Sequence, residues 1–199
     1  TIVQFLLRND AAAADELCTD TSSLEVAAEH GQVRIVKIFL QALSYSSEVK
    51  NKVLTKAAYM GNERVMSVLL NDSAVDINDR NELTGLTALH WATKANRAAA
   101  IKELLRRGAD TTILNFERLT PVQMAAEHGL IDSLEMLLSC GVDVNDEPRS
   151  STALHKAART GNEDVIRLLQ KYGANLNAQD LYGESPLAVA VAFGRARAA

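Results

Sequence analysis

The sequence predicts an all-α solenoid of stacked helix–turn–helix units that are joined by hairpin-like connectors. A short segment recurs along the 199-residue chain at a spacing of about 33 residues, and its clearest copy is Thr152–Gly161. A unit of that length cannot bury its own apolar face, so successive units must stack to form a continuous core. We therefore expect one array over the whole chain, although its length alone would allow one or two globular domains.

A capping residue followed by a short apolar segment predicts the first helix of each unit. Thr152 suits the N-cap position, because its hydroxyl can accept a hydrogen bond from a free N–H of the first turn. Gln123 follows Thr120 by three positions and Glu25 follows Ser22 in the same way, which predicts a reciprocal capping box in both copies. The copies of this segment begin at Ser22, Leu54, Thr87, Thr120, Thr152 and Ser185.

A glycine ends the first helix, where the backbone must become left-handed. Gly161 holds this position in the clearest copy, and Asn96, the next most suitable residue, holds it in another. Apolar pairs one turn apart, such as Val165-Ile166 and Leu168-Leu169, then predict a second helix. The turn Gly173-Ala174-Asn175 leads into a polar connector. The matching glycines of the other copies are Gly31, Gly61, Gly129 and Gly194.

Taken together, these motifs resemble the ankyrin-repeat family, whose repeats read Thr-Pro-Leu-His, Ala-Ala, Gly, Leu-Leu and Gly-Ala-Asp in that order. The resemblance covers essentially the whole chain and implies an ankyrin-repeat solenoid with β-hairpin-like connectors. We expect one array of five full repeats, with one partial repeat at each end. The predicted boundaries are 1–19, 20–50, 51–83, 84–116, 117–149, 150–182 and 183–199.

The N-terminal copies depart from the family pattern. The spacing falls to 30 residues between Leu24 and Leu54, and no Gly-Ala-Asp turn follows Phe39-Leu40. These departures predict altered connectors at residues 42–52 and 79–84, with the stacking preserved. The chain also opens with an apolar segment, residues 2–7, that resembles a second helix without its first. We therefore expect this sequence to be part of a longer chain.

Composition excludes several classes of protein. The net charge of -4 lacks the strongly basic character of nucleic-acid-binding proteins. No segment is long and apolar enough to cross a membrane, and no signal peptide opens the sequence. Cys18 and Cys140 lie in repeats far apart, so we expect two buried, reduced thiols rather than a disulfide. The expected location is the cytoplasm, with the nucleus as the alternative.

Catalysis and metal binding have no support in the pattern. The resemblance implies that His90 and His155 are structural residues that bond the Thr hydroxyl and the backbone between units. His30 and His128 are either surface residues of the binding face or solvated caps, and whole repeats separate them. No nucleophile elbow or phosphate-binding loop occurs. We therefore predict no enzymatic activity, no cofactor and no metal. Trp91 is either a binding aromatic or a packed residue.

The resemblance implies a protein-interaction module that binds a protein partner of unknown identity through connector tips and first helices. The positions concerned are Tyr59, Met60, Lys94, Phe116, Glu117, Leu119, Glu127, His128, Arg149, Arg159, Leu181, Tyr182 and Phe193. Since aromatic residues and arginine dominate contact energies, we expect Phe116, Arg149, Arg159 and Tyr182 to contribute most. Alternatively, Phe116 and Tyr182 pack against neighbouring connectors. The alternative function is a structural spacer or docking platform within a larger multidomain protein.

The resemblance also implies one candidate for modification. Asn145 stands where asparagine hydroxylases act on repeats of this family, after Gly141-Val142-Asp143-Val144. The alternative is that its side chain only bonds the backbone of the turn.

Overall fold

The computed structural model describes residues 21–146 and 151–195, and in these two segments it contains α-helices and no strand. Ten of the helices form five consecutive pairs, and the eleventh begins a further unit. The helices are α1 Thr21–Glu29, α2 Val33–Ala42, α3 Ser47–Met60, α4 Glu63–Leu69, α5 Ala88–Lys94, α6 Ala98–Arg106, α7 Pro121–His128, α8 Ile131–Ser139, α9 Ala153–Thr160, α10 Glu163–Lys171 and α11 Pro186–Ala192.

The helices lie in two layers. The odd-numbered helices, called the first helices below, pack in chain order from α1 to α11, and the even-numbered second helices pack from α2 to α10. One continuous core fills the space between the layers, and Leu54, Leu104, Leu137 and Leu169 are fully buried in it. The predicted all-α solenoid is confirmed.

The predicted caps occur at most first helices. The hydroxyl of Thr120 accepts the N–H of Gln123, and the Gln123 side chain accepts the N–H of Thr120, which completes the predicted box. Thr87 and Thr152 cap α5 and α9 in the same way. At the N-terminal copy, α1 already includes Thr21 and Ser22, so the helix starts earlier than the predicted cap at Ser22.

Left-handed residues end the first helices as predicted. The backbone φ is 80° at Gly61, 69° at Gly129 and 78° at Gly161. Asn96 takes the same conformation with φ 55°. These residues turn the chain back so that each second helix packs against its own first helix.

The N-terminal connector is shorter than a hairpin. Only residues 43–46 separate α2 from α3, and the Ser46 hydroxyl accepts the N–H of Val49 to start a helix of 14 residues. The boundary predicted between residues 50 and 51 therefore falls inside α3. The connector is short because the Gly-Ala-Asp turn is missing, so the chain passes from α2 into α3 after only residues 43–46.

Hydrogen bonds between repeats complete the ends of four first helices. In each case the donor is a side chain near the start of the second helix of the following repeat. It donates a hydrogen bond to a backbone carbonyl in the last turn of the first helix. Asn62 donates to the carbonyls of Ala28 and Glu29 at 2.7 and 2.8 Å. The corresponding donors at later junctions are Arg97 to Tyr59, Ser133 to Thr93 and Arg195 to Arg159. At these four junctions the later repeat thus satisfies backbone groups of the repeat before it.

The last described helix has an uncovered apolar face. Leu187 and Val191 are 53% and 65% exposed, whereas Leu154 and Ala158, at the same repeat positions in α9, are each 2% exposed. Ala158 packs with Val189 and Ala190 of α11, so the following repeat helps to cover this face of α9. The apolar segment at residues 2–7, the partial repeat at residues 1–19 and Cys18 lie outside the described residues.

Candidate functional site

The two histidines of the Thr-x-x-His motif hold neighbouring repeats together. His90 Nδ1 accepts the backbone N–H of Thr87 at 3.3 Å, and Nε2 lies 3.1 Å from the carbonyl oxygen of Leu119 in the next connector. His155 is placed alike, with Nε2 3.0 Å from the carbonyl of Glu184. Both ring nitrogens are occupied, and burial lowers the pKa of His90 to about 4. The predicted structural role is confirmed.

Gln123 shows that this role needs only a neutral hydrogen-bonding side chain. It stands at the histidine position of its repeat, caps the helix with Thr120, and donates its amide to the carbonyl of Ser151 in the following connector. An amide cannot transfer a proton near neutral pH. The motif is therefore a joint between repeats and not a catalytic group.

Three exposed connector positions, one or two repeats apart, define the outer edge of the candidate binding surface in the described residues. Leu83, Phe116 and Tyr182 are 86%, 58% and 87% exposed, and exposed apolar side chains gathered beside a groove are typical of interaction sites. Arg149, at the same position of the repeat between Phe116 and Tyr182, lies outside the described residues. Sequence analysis missed Leu83, although it precedes Phe116 by the same 33 residues that separate Phe116 from Arg149.

Leu119 does not belong to this surface. Its side chain is 3% exposed and packs with Leu86 and Met124 beneath the connectors, with Trp91 against the same cluster. Its carbonyl is the partner of His90. The prediction that Leu119 contacts a partner is therefore wrong, because the residue just before the capping threonine turns inward to close the connector.

A groove of about 390 Å³ lies between the connector tips and the first helices α5 and α7. Leu83 and Phe116 form its outer wall, and Lys94, Met124 and His128 are among the residues of the opposite wall. The Arg80 guanidinium lies 5.5 Å from the centroid of the Phe116 ring, which holds that ring in place. We call this cavity the central groove; Glu117 also lines it.

A second groove of about 300 Å³, the C-terminal groove, repeats this arrangement between α9 and α11. Leu181, Tyr182 and Phe193 supply apolar surface, and Lys156 and Arg159 supply positive charge. The 87% exposure of Tyr182 shows that it does not pack against a connector in the described part of the chain. Phe116 differs, because Arg80 covers part of its ring.

Aromatic contacts order the first helices beside the central groove. The rings of Tyr59 and Trp91 meet edge to face with centroids 5.7 Å apart, and the Lys94 ammonium lies 5.4 Å from the Trp91 centroid. Trp91 is half-buried, which agrees with the packed alternative, while Tyr59 is 41% exposed. Met60, beside Tyr59, is half-buried.

Two further predicted partner residues bind each other. The Arg159 guanidinium forms an ion pair with the Glu127 carboxylate of the preceding repeat. Both side chains remain partly exposed at the surface of the first helices. His30 and His128 are exposed, and within residues 21–146 and 151–195 no cluster of acidic, histidine or cysteine side chains is arranged to hold a metal ion.

Asn145 and Cys140 lie in the segment that follows α8. The Asn145 side chain donates to the carbonyl of Gly173 at 3.1 Å and accepts the N–H of Asn175 at 2.7 Å, so it links two successive turns. These bonds are the structural role expected as the alternative to modification. Cys140 is exposed, which corrects the expectation of a buried thiol; it follows α8, where the chain turns in solvent.

Comparison with known proteins identifies the family of these repeats. A family model described as "Ankyrin repeats (3 copies)" matches residues 24–115, 54–148 and 122–199. In the described residues, no helix has the length and apolar character to cross a membrane.

Three curated relatives show how widely such repeats occur. A transient receptor potential cation channel subfamily A member 1 homologue of Caenorhabditis elegans is 25% identical over 84% of this chain and 14% of its own length. Human ankyrin repeat and SOCS box protein 3 is 32% identical over 90% of this chain and 36% of its own. Palmitoyltransferase ZDHHC17 of Danio rerio is 30% identical over 52% and 23%. The chain thus spans well under half the length of each.

Proposed function

The chain belongs to the ankyrin-repeat family, and on that premise we propose that it binds a partner protein through its connector tips and first helices. Repeats of this family are protein–protein interaction modules. The observation that carries the proposal is the exposure of Leu83, Phe116 and Tyr182 at one repeat position. Each stands beside a groove wall formed by first helices.

The chemistry of these grooves suits a protein surface. Large, exposed apolar side chains gain the most from being covered, and aromatic residues are enriched among the residues that dominate binding energy. His155, the histidine of the C-terminal groove, already bonds the backbone through both ring nitrogens, so it is not free to act on a small substrate. A partner that contacts both grooves would bury more surface, and its position along the array would be fixed at two sites.

We propose no catalytic activity for these repeats. Ankyrin repeats are in general non-enzymatic scaffolds, and relatives named as a channel homologue and a palmitoyltransferase extend far beyond the matched region. Their activities are properties of those whole proteins. For this chain we propose a location in the cytoplasm, with the nucleus as the alternative, which a fluorescent fusion of the whole protein would test.

Recovered partners and matched variants test the binding proposal. Proteins recovered with the tagged chain from its native cells would be purified, and their affinities measured with the Phe116→Ala and Tyr182→Ala double variant. We expect at least about a 30-fold loss of affinity with the melting temperature unchanged, because residues of this kind contribute about 2 kcal/mol or more. Ile131→Ala is the control, since Ile131 is a partly exposed apolar residue of the second-helix layer. Equal losses in both variants would contradict the proposal.

The alternative, a docking platform within a larger protein, rests on a different observation. The exposed face of Leu187 and Val191 matches positions that are covered in α9, so it can pack against further protein. In that case the binding partner is another part of the same polypeptide. Protection of Leu187 and Val191 in the whole protein, with Phe116 and Tyr182 still free in solvent, would favour this function over the first.

A further inference from the structure

An open groove lies in the second-helix layer, between α2 and α4, with a volume of about 640 Å³. Side-chain bonds close the next boundary of this layer. The Ser67 hydroxyl of α4 donates to the Glu103 carboxylate of α6 at 3.1 Å, and the Arg107 guanidinium donates to the side-chain oxygen of Asn71 at 2.9 Å. In the described part of the chain, no side-chain hydrogen bond or ion pair joins α2 to α4. We call this cavity the N-terminal groove.

The N-terminal groove has apolar residues in its lining. Val33 and Leu40 of α2 and Val68 of α4 are half-buried, and each packs against the core with part of its side chain. Along α2 the groove extends from Val33 to Gln41, which is roughly 12 Å at a rise of about 1.5 Å per residue. The groove is therefore about two helical turns long.

The positive charges of this groove are not balanced by carboxylates. Lys37 and Arg64 line it, both are exposed, and neither has an ion-pair partner among the described residues. Asp72 supplies the carboxylate of the lining, but the Lys50 ammonium bonds one of its oxygens at 2.7 Å and the N–H of Ala74 bonds the other at 2.9 Å. The bond from Lys50 is the main cause of the lowered pKa of Asp72. Two cations therefore stay available.

The surface around the groove has the same excess of positive charge. The helices α2, α4 and α6, with the residue that caps each, carry six basic and two acidic residues, although the whole chain has a net charge of -4. Of the two acidic residues, Glu103 already accepts bonds from Arg106, Arg107 and Ser67. Glu63 is exposed and does not line the groove. The basic residues are Arg34, Lys37, Arg64, Lys102, Arg106 and Arg107.

The repeat pattern itself does not require this charge. Arg34 and Arg64 each stand three residues after the left-handed glycine that ends a first helix, and the same position holds Asp132 in α8 and Asp164 in α10. The helix α8 contains two acidic residues and no basic residue. The second-helix layer therefore changes from positive at its N-terminal end to negative at α8, so a negatively charged partner is directed to the N-terminal groove.

We propose that the N-terminal groove binds an acidic amphipathic helix of a partner protein. Its apolar stripe covers Val33, Leu40 and Val68, and its carboxylates pair with Lys37 and Arg64. This surface belongs to the second-helix layer, so the inference goes beyond the proposed binding at connector tips and first helices. Charge pairs at the edge of such an interface set specificity and association rate more than total affinity.

The walls of the groove favour a helix as the occupant. Two neighbouring helices present ridges of side chains between which those of a third helix can pack. The backbone groups of α2 and α4 are bonded within the helices, so they offer no partners to an extended strand, whereas a helix satisfies its own backbone. Nucleic acid or lipid headgroups would pair with the cations but would leave the apolar lining uncovered.

Synthetic peptides test this inference directly. The probe is a labelled helical peptide of about three turns, with leucines along one face and glutamates beside them. One matched peptide has glutamine in place of glutamate, and another has the same residues in scrambled order. In fluorescence anisotropy at low ionic strength, we expect the glutamate peptide to bind roughly tenfold more tightly than either, and added salt to reduce its advantage over the glutamine peptide.

Variants of the protein locate the binding site. Lys37→Glu and Arg64→Glu should each weaken the glutamate peptide by roughly tenfold, and Gln41→Trp should do so by filling the groove. Arg167→Glu is the control, because Arg167 occupies the repeat position of Lys37 in α10 and its side chain is 74% exposed. It should leave the affinity unchanged. Since all four positions are exposed, thermal unfolding should show that the variants remain folded.

Several outcomes would overturn the inference. Equal binding of the glutamate and glutamine peptides, equal binding of the scrambled peptide, or an equal effect of Arg167→Glu would each do so. Binding to phosphatidylserine vesicles without binding of the peptide would assign the cations to a lipid surface instead. The Phe116→Ala and Tyr182→Ala double variant should bind the peptide normally, so failure here leaves the proposed function standing, and the reverse also holds.

Discussion

The repeats before Thr87 and those that follow it are joined by different chemistry. From Thr87 onward a buried side chain at one motif position reaches the next connector: His90, Gln123 and His155 each bond a backbone carbonyl there. Between α1 and α3 no such buried bond occurs in the described residues, and surface ion pairs link the two helices in addition to the bonds of Asn62. Lys52 pairs with Glu25 at 2.8 Å, and Lys56 with Glu29 at 3.2 Å.

The difference shows what the buried joint requires. A side chain that reaches forward to a carbonyl needs a connector whose backbone returns above the helix. Where the connector is reduced to residues 43–46, no bond of this kind is formed, and α3, with 14 residues, is instead longer than the other first helices, which have 7 to 9. Stacking itself does not depend on the joint, since Leu24 and Leu54 are as fully buried as Leu134.

Removing a core leucine should have the largest effect, and it should be alike in both regions. Leu54→Ala and Leu154→Ala should each cost about 2–5 kcal/mol, because both side chains are buried and leave a cavity. Leu187→Ala is the matched control; at 53% exposure it should cost clearly less. Urea unfolding followed by circular dichroism measures all three. A small effect at Leu54 alone would show that the N-terminal repeats do not share the core.

Lowering the pH should weaken the joint that contains His90. Its pKa is lowered from 6.5 to about 4 by burial, so the unfolded chain takes up a proton that the folded chain does not. Stability should therefore fall as pH decreases from 6.5 towards 4, by about 2–3 kcal/mol from this residue. Glu103 begins to contribute only as pH falls through about 4.5, because its pKa is lowered from 4.5 to about 2 by its bonds to Arg106, Ser67 and Arg107.

His90→Gln isolates that contribution, since Gln123 already fills the same role in its own repeat. The variant should keep the joint and flatten the dependence of unfolding free energy on pH. A slope identical to that of the unchanged protein would assign the acid sensitivity to other groups.

At neutral pH, deletion of the joint should have a smaller effect than loss of core packing. His90→Ala leaves the carbonyl of Leu119 without its partner in a buried site and should cost about 1–3 kcal/mol. His90→Gln should cost less than His90→Ala. Hydrogen exchange of the connector amides would locate the change; protection that falls evenly over the whole chain would contradict a local joint.

The N-terminal ion pairs should have the smallest effect. Lys52→Ala should cost about 0.2–1 kcal/mol, because the lysine is 66% exposed and water screens the pair. High salt should erase the difference between this variant and the unchanged protein. A loss as large as that of His90→Ala would remove the contrast between the two regions.

Periodicity predicted the elements better than it predicted which side chains face solvent. Repetition located the caps at Thr87, Thr120 and Thr152 because they depend on neighbours within four residues. It could not separate Leu168, which is half-buried, from the fully buried Leu169, since adjacent helical residues point in different directions.

Errors at the candidate surface have similar causes. Leu119 is an apolar connector residue like Leu181, yet one packs inward and the other is 72% exposed. Only three-dimensional contacts distinguish them. The bonds from Asn62 to the preceding helix were also beyond prediction, because 33 and 34 residues separate donor and acceptors along the chain.

Those bonds between repeats have a consequence for how such an array grows. Asn62, Arg97 and Arg195 each follow the left-handed residue after a first helix, Ser133 lies three positions later in its repeat, and all four donate backward. The repeats that contain Asn62 and Arg97 also offer a carbonyl forward, from Tyr59 and Thr93. A gene segment that encodes either of these two units therefore carries one half of each of its junctions. In-frame duplication or loss of a unit rejoins complementary halves, so the number of repeats can change without new contacts having to evolve.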